Sequence, residues 1–175
     1  MIASVERPTG SEPEEGEERR DSRHRGGSRR RSVARLAAVQ AVYQLELNPG
    51  IEPDSVVREF ARHRFGHEID GDQYAEADPA LFADIVRGVA GDREQLDCAI
   101  SAALTPEWPL QRLDSVLRAI LRAGAYELAH RRDVPPRVSI SEYTAVAYAF
   151  FTGKEPGLAN GVLDALARTW RVAEL

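Results

Sequence analysis

LQRLDSVLRAILRAGAYELAHR, residues Leu110–Arg131, decides the fold. Leu110, Leu113, Leu117, Ile120, Leu121, Gly124 and Leu128 recur at three- and four-residue steps, the spacing that lines one face of an α-helix. A strand would need alternation at every second residue, and no run worth naming in this chain alternates. Gly124 inside the stripe predicts close contact with a second helix, because glycine carries no Cβ to hold a neighbour away. Arg118, Arg122 and Tyr126 lie four apart on another face and form one connected row.

Helical spacing continues in both directions. Upstream, a first helix is expected from about Ser32 to Leu47, with Leu36, Val39, Tyr43 and Leu47 on its stripe; Asn48-Pro49-Gly50 ends it. A second runs from about Asp54 to His63 on Val56, Val57 and Phe60, and Arg64 to Ala77 reads as a loop. Asp78-Pro79 is an N-cap followed by proline at the first helical position, opening a helix that buries Leu81, Phe82, Ile85, Val86 and Val89. Asp92 caps a fourth, on Leu96, Ile100 and Leu104. Downstream, Asp133-Val134-Pro135-Pro136 forces an extended connection. Ser139-x-x-Glu142 then reads as a capping box before Ile140, Tyr143, Ala147, Phe150 and Phe151. The last helix buries Leu158, Val162, Leu163, Leu166 and Trp170. The expectation is all-α, with six to seven helices.

One pair breaks the local rules. Asn160-Gly161 is a strong turn signal, yet the apolar spacing from Leu158 to Trp170 runs through it. Such conflicts are expected where packing or function overrides propensity. Gly161 is therefore read as a close helix–helix contact and Asn160 as a polar group placed for a partner; a helix start after a turn is the plainer alternative.

Charge is unevenly placed. Seven arginines lie between Arg19 and Arg31, an eighth, Arg35, projects from the next helical turn, and six glutamates fall between Glu6 and Glu18. Residues 32–175 hold 21 acidic against 15 basic side chains, a net charge of −6. Segregated charge blocks bury no apolar surface, so residues 1–30 are expected to be a disordered acidic and basic tail ahead of a folded domain at 31–175. A basic arm joined to an acidic body points to a polyanion, RNA first; a solubilising tail is the bland alternative. Of 23 basic residues 22 are arginine, whose planar fork suits phosphate and stacks on bases.

Catalytic constellations are missing. One cysteine, Cys98, excludes a disulfide framework within the chain and any all-cysteine zinc site, and is expected to be buried as a small apolar residue. His63 and His67 have no HExxH sequence or cysteine pair beside them, and no phosphate-cradling glycine loop or nucleophile elbow occurs. Asp70 and Asp72 sit in a glycine-rich loop. No enzyme, cofactor or metal site is expected. No apolar run reaches the roughly 20 residues that span a bilayer, and the start lacks a signal-peptide pattern, so a cytoplasmic protein is expected.

Three segments carry a resemblance: RRRSVARLAAVQAVYQLEL, RLDSVLRAILRAGAYEL and DVPPRVSISEYTAVAYAFFTGKEPGLANGVLDALA. Their order and spacing resemble the NusB family of bacterial transcription antitermination factors over the folded body, apart from Ile51 to Pro109. The resemblance implies two packed helical subdomains, binding to the boxA element of ribosomal RNA operon transcripts jointly with NusE (a small-subunit ribosomal protein), and an RNA polymerase kept processive through terminators. It implies no chemistry. Arg30, Arg31 and Arg35, with Arg29 flanking, match the arginine-rich start of the family's first helix, which contacts RNA. Tyr43 matches a tyrosine linked to RNA binding, though it also lies on the apolar stripe. Gln40 has two readings, a base edge or a buried backbone group. Arg122 matches a recurrent arginine and Arg118 extends its row, either toward RNA or toward ion pairs with acids such as Asp114 and Glu127. Asn160 is placed by its motif. Leu117 departs, standing where many members carry an acidic residue associated with RNA and partner contacts.

Two other classes compete. A protein–protein adaptor with a solubilising arm would show no RNA sequence preference. The helical RNA-docking domain of some RNA cytosine methyltransferases would require a catalytic module after Leu175. Arg31 and Arg35 are both expected to be exposed, so that alanine at either weakens RNA binding without unfolding the chain. If Glu12 to Glu18 fold back on the arginines, deleting residues 1–18 tightens binding at low salt.

Overall fold

Seven helices order the chain in the computed structural model, which describes residues 15–63, 65 and 77–175, with side chains from residue 26 onward. They are α1 (Glu15–Leu47), α2 (Pro53–His63), α3 (Pro79–Gly91), α4 (Arg93–Ala103), α5 (Ser115–His130), α6 (Pro136–Phe150) and α7 (Glu155–Trp170). Short 3-10 turns occupy Leu110–Arg112 and Val172–Glu174, and no strand occurs among the described residues. The first three helices pack on one another, as do the last four. The two groups meet where α1 and α3 lie against α5, and where α1 touches α6. The all-α, two-subdomain expectation holds.

Helix α1 is the axle of this arrangement, and its packing face differs from the expected one. Ala34, Ala37, Ala38, Val39, Ala41 and Val42 are buried. Leu36 and Tyr43 are only half-buried and Leu47 is exposed, so most of the expected stripe is the outer edge. Methyl-sized side chains let the α1 backbone come close to α3 and α5, which larger leucines on that face would prevent. The helix is also longer than the apolar spacing predicts, beginning at Glu15 rather than near Ser32. Residues 1–14, most of the loop at 64–77, Asp70, Asp72 and His67 lie outside the described residues.

Several local readings change. The expected single helix from Leu110 breaks at Leu113-Asp114, because the Asp114 carboxylate accepts from Val116 N at 2.7 Å and restarts the chain as α5. Asp78 caps α3 as expected, accepting from Ala80 N and Leu81 N. Asp92 makes no such side-chain bond at α4. The capping box at Ser139 is overturned: α6 starts three residues earlier, on Pro136, and Ser139 is buried inside it. Cys98 is exposed, not buried, since Leu96 and Ile100 take the inner face of α4. Phe150 is likewise exposed. Leu117 is buried in the core, so its position belongs to packing and not to a surface.

Both glycines named from the sequence can be tested by geometry. A Cβ at Gly124 would stand 2.8 Å from Leu163 Cδ2 and 3.2 Å from Tyr143 Cδ2, the close α5–α7 approach expected of it. At Gly161 nothing lies within 4 Å, which overturns its reading as a contact. Asn160-Gly161 does run inside α7, as the apolar spacing demanded. Gly88, which no sequence signal marked, is the tighter case: a Cβ there would overlap the ring of Tyr126.

Candidate nucleic-acid interface

N-terminal to Ala34, Val33 still packs on the core, while Arg29, Arg30 and Arg31 are exposed on α1. Asp78 N donates to Arg30 O at 3.1 Å, tying this stretch to the start of α3. Arg31 overlooks a cleft of about 380 Å³ lined by Arg35, Asp133, Val134, Pro135, Val138 and Glu142. Asp133, paired with Arg131 at 2.8 Å, is held down at a pKa of about 2 by that hydrogen bond; Arg31 adds a smaller electrostatic push in the same direction. Farther along α1, a half-exposed strip of Val33, Leu36, Gln40, Tyr43 and Gln44 continues from the arginine end. At 1.5 Å per residue, Tyr43 lies roughly 18 Å along the axis from Arg31.

Arg35 does not belong to that surface. It is 2 % exposed, against the expectation of an exposed RNA contact. Its Nε donates to both oxygens of Glu127, at 3.1 and 3.0 Å, and its Nη2 to Glu127 Oε1 at 2.8 Å. Ser139 Oγ donates to Glu127 Oε1 at 2.8 Å and Tyr143 OH to Oε2 at 3.1 Å, while Arg35 Nη1 reaches Glu142 at 3.3 Å. One carboxylate from α5 therefore gathers donors from α1 and α6. Two buried charges survive only when paired and hydrogen-bonded, and here nearly every lone pair of Glu127 is used. Burial alone would lower the guanidinium pKa, but the bond to Glu127 raises it above its ordinary value. Burial pushes the Tyr143 hydroxyl up, and the Glu127 charge adds to that.

The arginine row on α5 is also paired. Arg122, 4 % exposed, donates from Nε and Nη2 to Asp97 at 2.6 and 2.9 Å and from Nη1 to Glu46 at 2.6 Å. Arg118 shares Glu46 and reaches Ser115 at 2.9 Å. Ion pairs were one of two readings for these arginines, and their partners are Glu46 and Asp97 rather than Asp114 and Glu127. Tyr126 completes the row differently, donating to Asp84 Oδ1 at 3.0 Å. Desolvation first, then that bond, push its hydroxyl to about 12. Asn160 is exposed on α7, in a groove shared with Arg137, Thr144, Tyr148, Asp164 and Arg168. The nine residues named from the sequence thus fall into an exposed arginine cluster, a half-exposed strip, two buried networks and a separate α7 groove.

Sequence reading missed the partners. Glu127 became readable only in the fold: apart from Arg118, every α5 residue from Leu117 to Leu128 is buried, so an acid on that helix needs donors. Arg171 carried none. Buried against the connector, it donates to Val134 O at 2.7 Å and Arg131 O at 3.3 Å, fastening the end of α7 to the turn before α6.

The described residues form an all-helical protein whose central helix ends in a cluster of exposed arginines, an electrostatic footprint suited to a polyanion. The NusB family model matches residues 32–168. A transcription antitermination protein NusB from Rhodopseudomonas palustris (strain BisB18) is 52 % identical over 145 residues, covering 83 % of this chain and 85 % of the relative. Its counterpart in Caulobacter vibrioides is 52 % identical over 141 residues, covering 81 % and 94 %. A solved structure of T. maritima NusB superposes with a TM-score of 0.64 at 28 % identity, covering 78 % of this chain and 89 % of that one. The chain belongs to the NusB family, and its function is that of a transcription antitermination factor. Among the described residues no group of histidine, cysteine and acidic side chains is arranged to hold a metal, and no helix is long and apolar enough to cross a membrane.

Proposed function

We propose that the chain binds the boxA element of ribosomal RNA operon transcripts as a single strand, together with NusE, within the RNA polymerase antitermination complex of the cytoplasm. No chemistry is performed on the RNA and no cofactor takes part. Residues 31–175 form the RNA-binding domain, and the segment through Arg30 is a charged arm leading into it.

The observation that carries this reading is the exposure of Arg29, Arg30 and Arg31 at the projecting end of α1, continuous with half-exposed Gln40 and Tyr43. Arginines there neutralise phosphates and fix the register of the strand, while an aromatic face and an amide farther along meet unstacked bases. Arg35, Arg118 and Arg122 are committed to carboxylates, so they support this surface from beneath. Asn160 lies on α7 and serves a separate contact.

Titration of a fluorescent boxA strand against a scrambled strand tests the proposal. Binding is expected to prefer boxA, to weaken steeply with salt as counterions are released, and to tighten when NusE is added. Arg31→Ala is expected to reduce affinity about fivefold, roughly 1 kcal/mol, with folding stability changed by less than about 0.5 kcal/mol. Equal affinity for both strands, with no effect of NusE, would return the protein to the adaptor class.

A further inference from the structure

The pair under the arginine cluster is almost wholly buried, with Glu127 fully so, and its hydrogen bonds run to other side chains of the protein, so its use in binding is indirect. Along α1, Ala34 and Arg35 are the first fully buried residues, and everything before them is half-buried or exposed. Among the described residues, Arg35 is the first buried side chain that ties this segment to α5 by directional bonds; Val33 packs on the core beside it, and Asp78 N donates to Arg30 O. Small apolar contacts at Ala34, Ala37 and Ala38 hold α1 in place but resist rotation weakly, because methyl groups offer no directional bond. The Arg35–Glu127 fork is directional. Two guanidinium nitrogens and two carboxylate oxygens must stay nearly coplanar, and Ser139 and Tyr143 fix the carboxylate from α6.

Leverage makes this consequential. Arg31 is one turn above Arg35, roughly 6 Å along the axis, and Gly26 roughly 13 Å. A tilt of about 10° at the anchor would displace them by about 1 and 2 Å, enough to spoil a phosphate hydrogen bond.

We infer that Glu127 is a positioning residue for RNA binding: through Arg35 it sets the angle at which α1 presents Arg31 to the strand. The inference rests on the RNA-binding reading above. It assigns to α5 and α6, which carry no exposed arginine of this cluster, a share in affinity that no contact with RNA would reveal.

The test is a double-mutant cycle on the full chain, using the fluorescent boxA strand, at a temperature where circular dichroism shows each variant folded. Arg31→Ala is measured in the native chain, in Glu127→Gln, and in Arg35→Met/Glu127→Met, which replaces the pair by apolar groups of similar length. In the native chain Arg31→Ala is expected to lower affinity about fivefold and the salt slope by about 0.7, the value for one phosphate on a single strand. In both pair-disrupted backgrounds the same substitution should lower affinity less than about twofold and leave the slope nearly unchanged, because Arg31 no longer meets its phosphate. A purely structural role would lower the melting temperature yet keep the full fivefold loss and the full slope change in those backgrounds; that outcome overturns the inference alone. Should Glu127→Gln fail to fold, the double methionine variant decides. Preferential boxA binding that Arg31→Ala leaves unchanged in the native chain overturns the positioning role alone, whereas equal affinity for boxA and scrambled strands overturns the RNA reading and the positioning role with it.

Discussion

Replacing Arg35 by alanine strands Glu127 in the core. The carboxylate is fully buried, and it would keep only Ser139 and Tyr143 as donors once the three guanidinium bonds are gone. Breaking a buried pair from one side typically costs about 3–5 kcal/mol, because the remaining charge is uncompensated. For a domain of this size each kcal/mol moves the melting temperature by about 2–4 °C, so that of Arg35→Ala should fall by roughly 6–20 °C. The exposed Arg31→Ala should move by no more than about 2 °C. Removing both charges, as Arg35→Met/Glu127→Met, should recover only part of the loss: apolar groups of similar volume can replace the pair, but the buried Ser139 and Tyr143 hydroxyls lose their acceptor. Thermal and urea unfolding followed by circular dichroism give all three values on one scale. An Arg35→Ala chain within about 1 kcal/mol of native would refute the assignment of Arg35 to the core.

Other features lead to equally direct expectations. Gly88→Ala should destabilise by about 3 kcal/mol in urea unfolding, because the new Cβ overlaps the Tyr126 ring; Gly124→Ala should cost less, since it meets the flexible end of Leu163. The Tyr126 hydroxyl titrates near 12 in the fold against an ordinary value of 10, so its neutral form stabilises the protein fully below pH 10 and that contribution is lost as pH rises through 12. Tyr126→Phe should flatten the alkaline stability curve by about 2 kcal/mol over that window in pH-dependent urea unfolding. Arg122→Ala leaves Asp97 without its forked partner and Glu46 with Arg118 alone, and a loss of about 2–3 kcal/mol is expected by the same measurement.

The helices themselves were legible because period and punctuation agree. Asp78-Pro79 and Pro53-Asp54 start helices within a residue of where they stand, and the pattern through Asn160 correctly outvoted the turn signal. What periodicity could not settle was which edge of α1 faces inward. Leucine and tyrosine look like core, but alanine is what fits between closely packed axes, and a hydropathy pattern scores it weakly. Asp114 shows the same limit, since a cap inside an apolar stripe breaks a helix that spacing alone would continue. At the candidate interface, Arg29, Arg30 and Arg31 were separable from Arg35 only through Glu127, 92 positions away in the chain. Pairing at that separation leaves no local trace, so one run of arginines held both surface and core residues.

The alanine-lined inner face of α1 also limits how this protein can change. Ala34, Ala38 and Ala41 have no exposed surface, so any larger residue there must push whole helices apart rather than turn a side chain aside. Saturation mutagenesis should therefore find the smallest residues on this helix among the least replaceable. Leu47, bulky but exposed at the far end of the helix, should tolerate change far more readily.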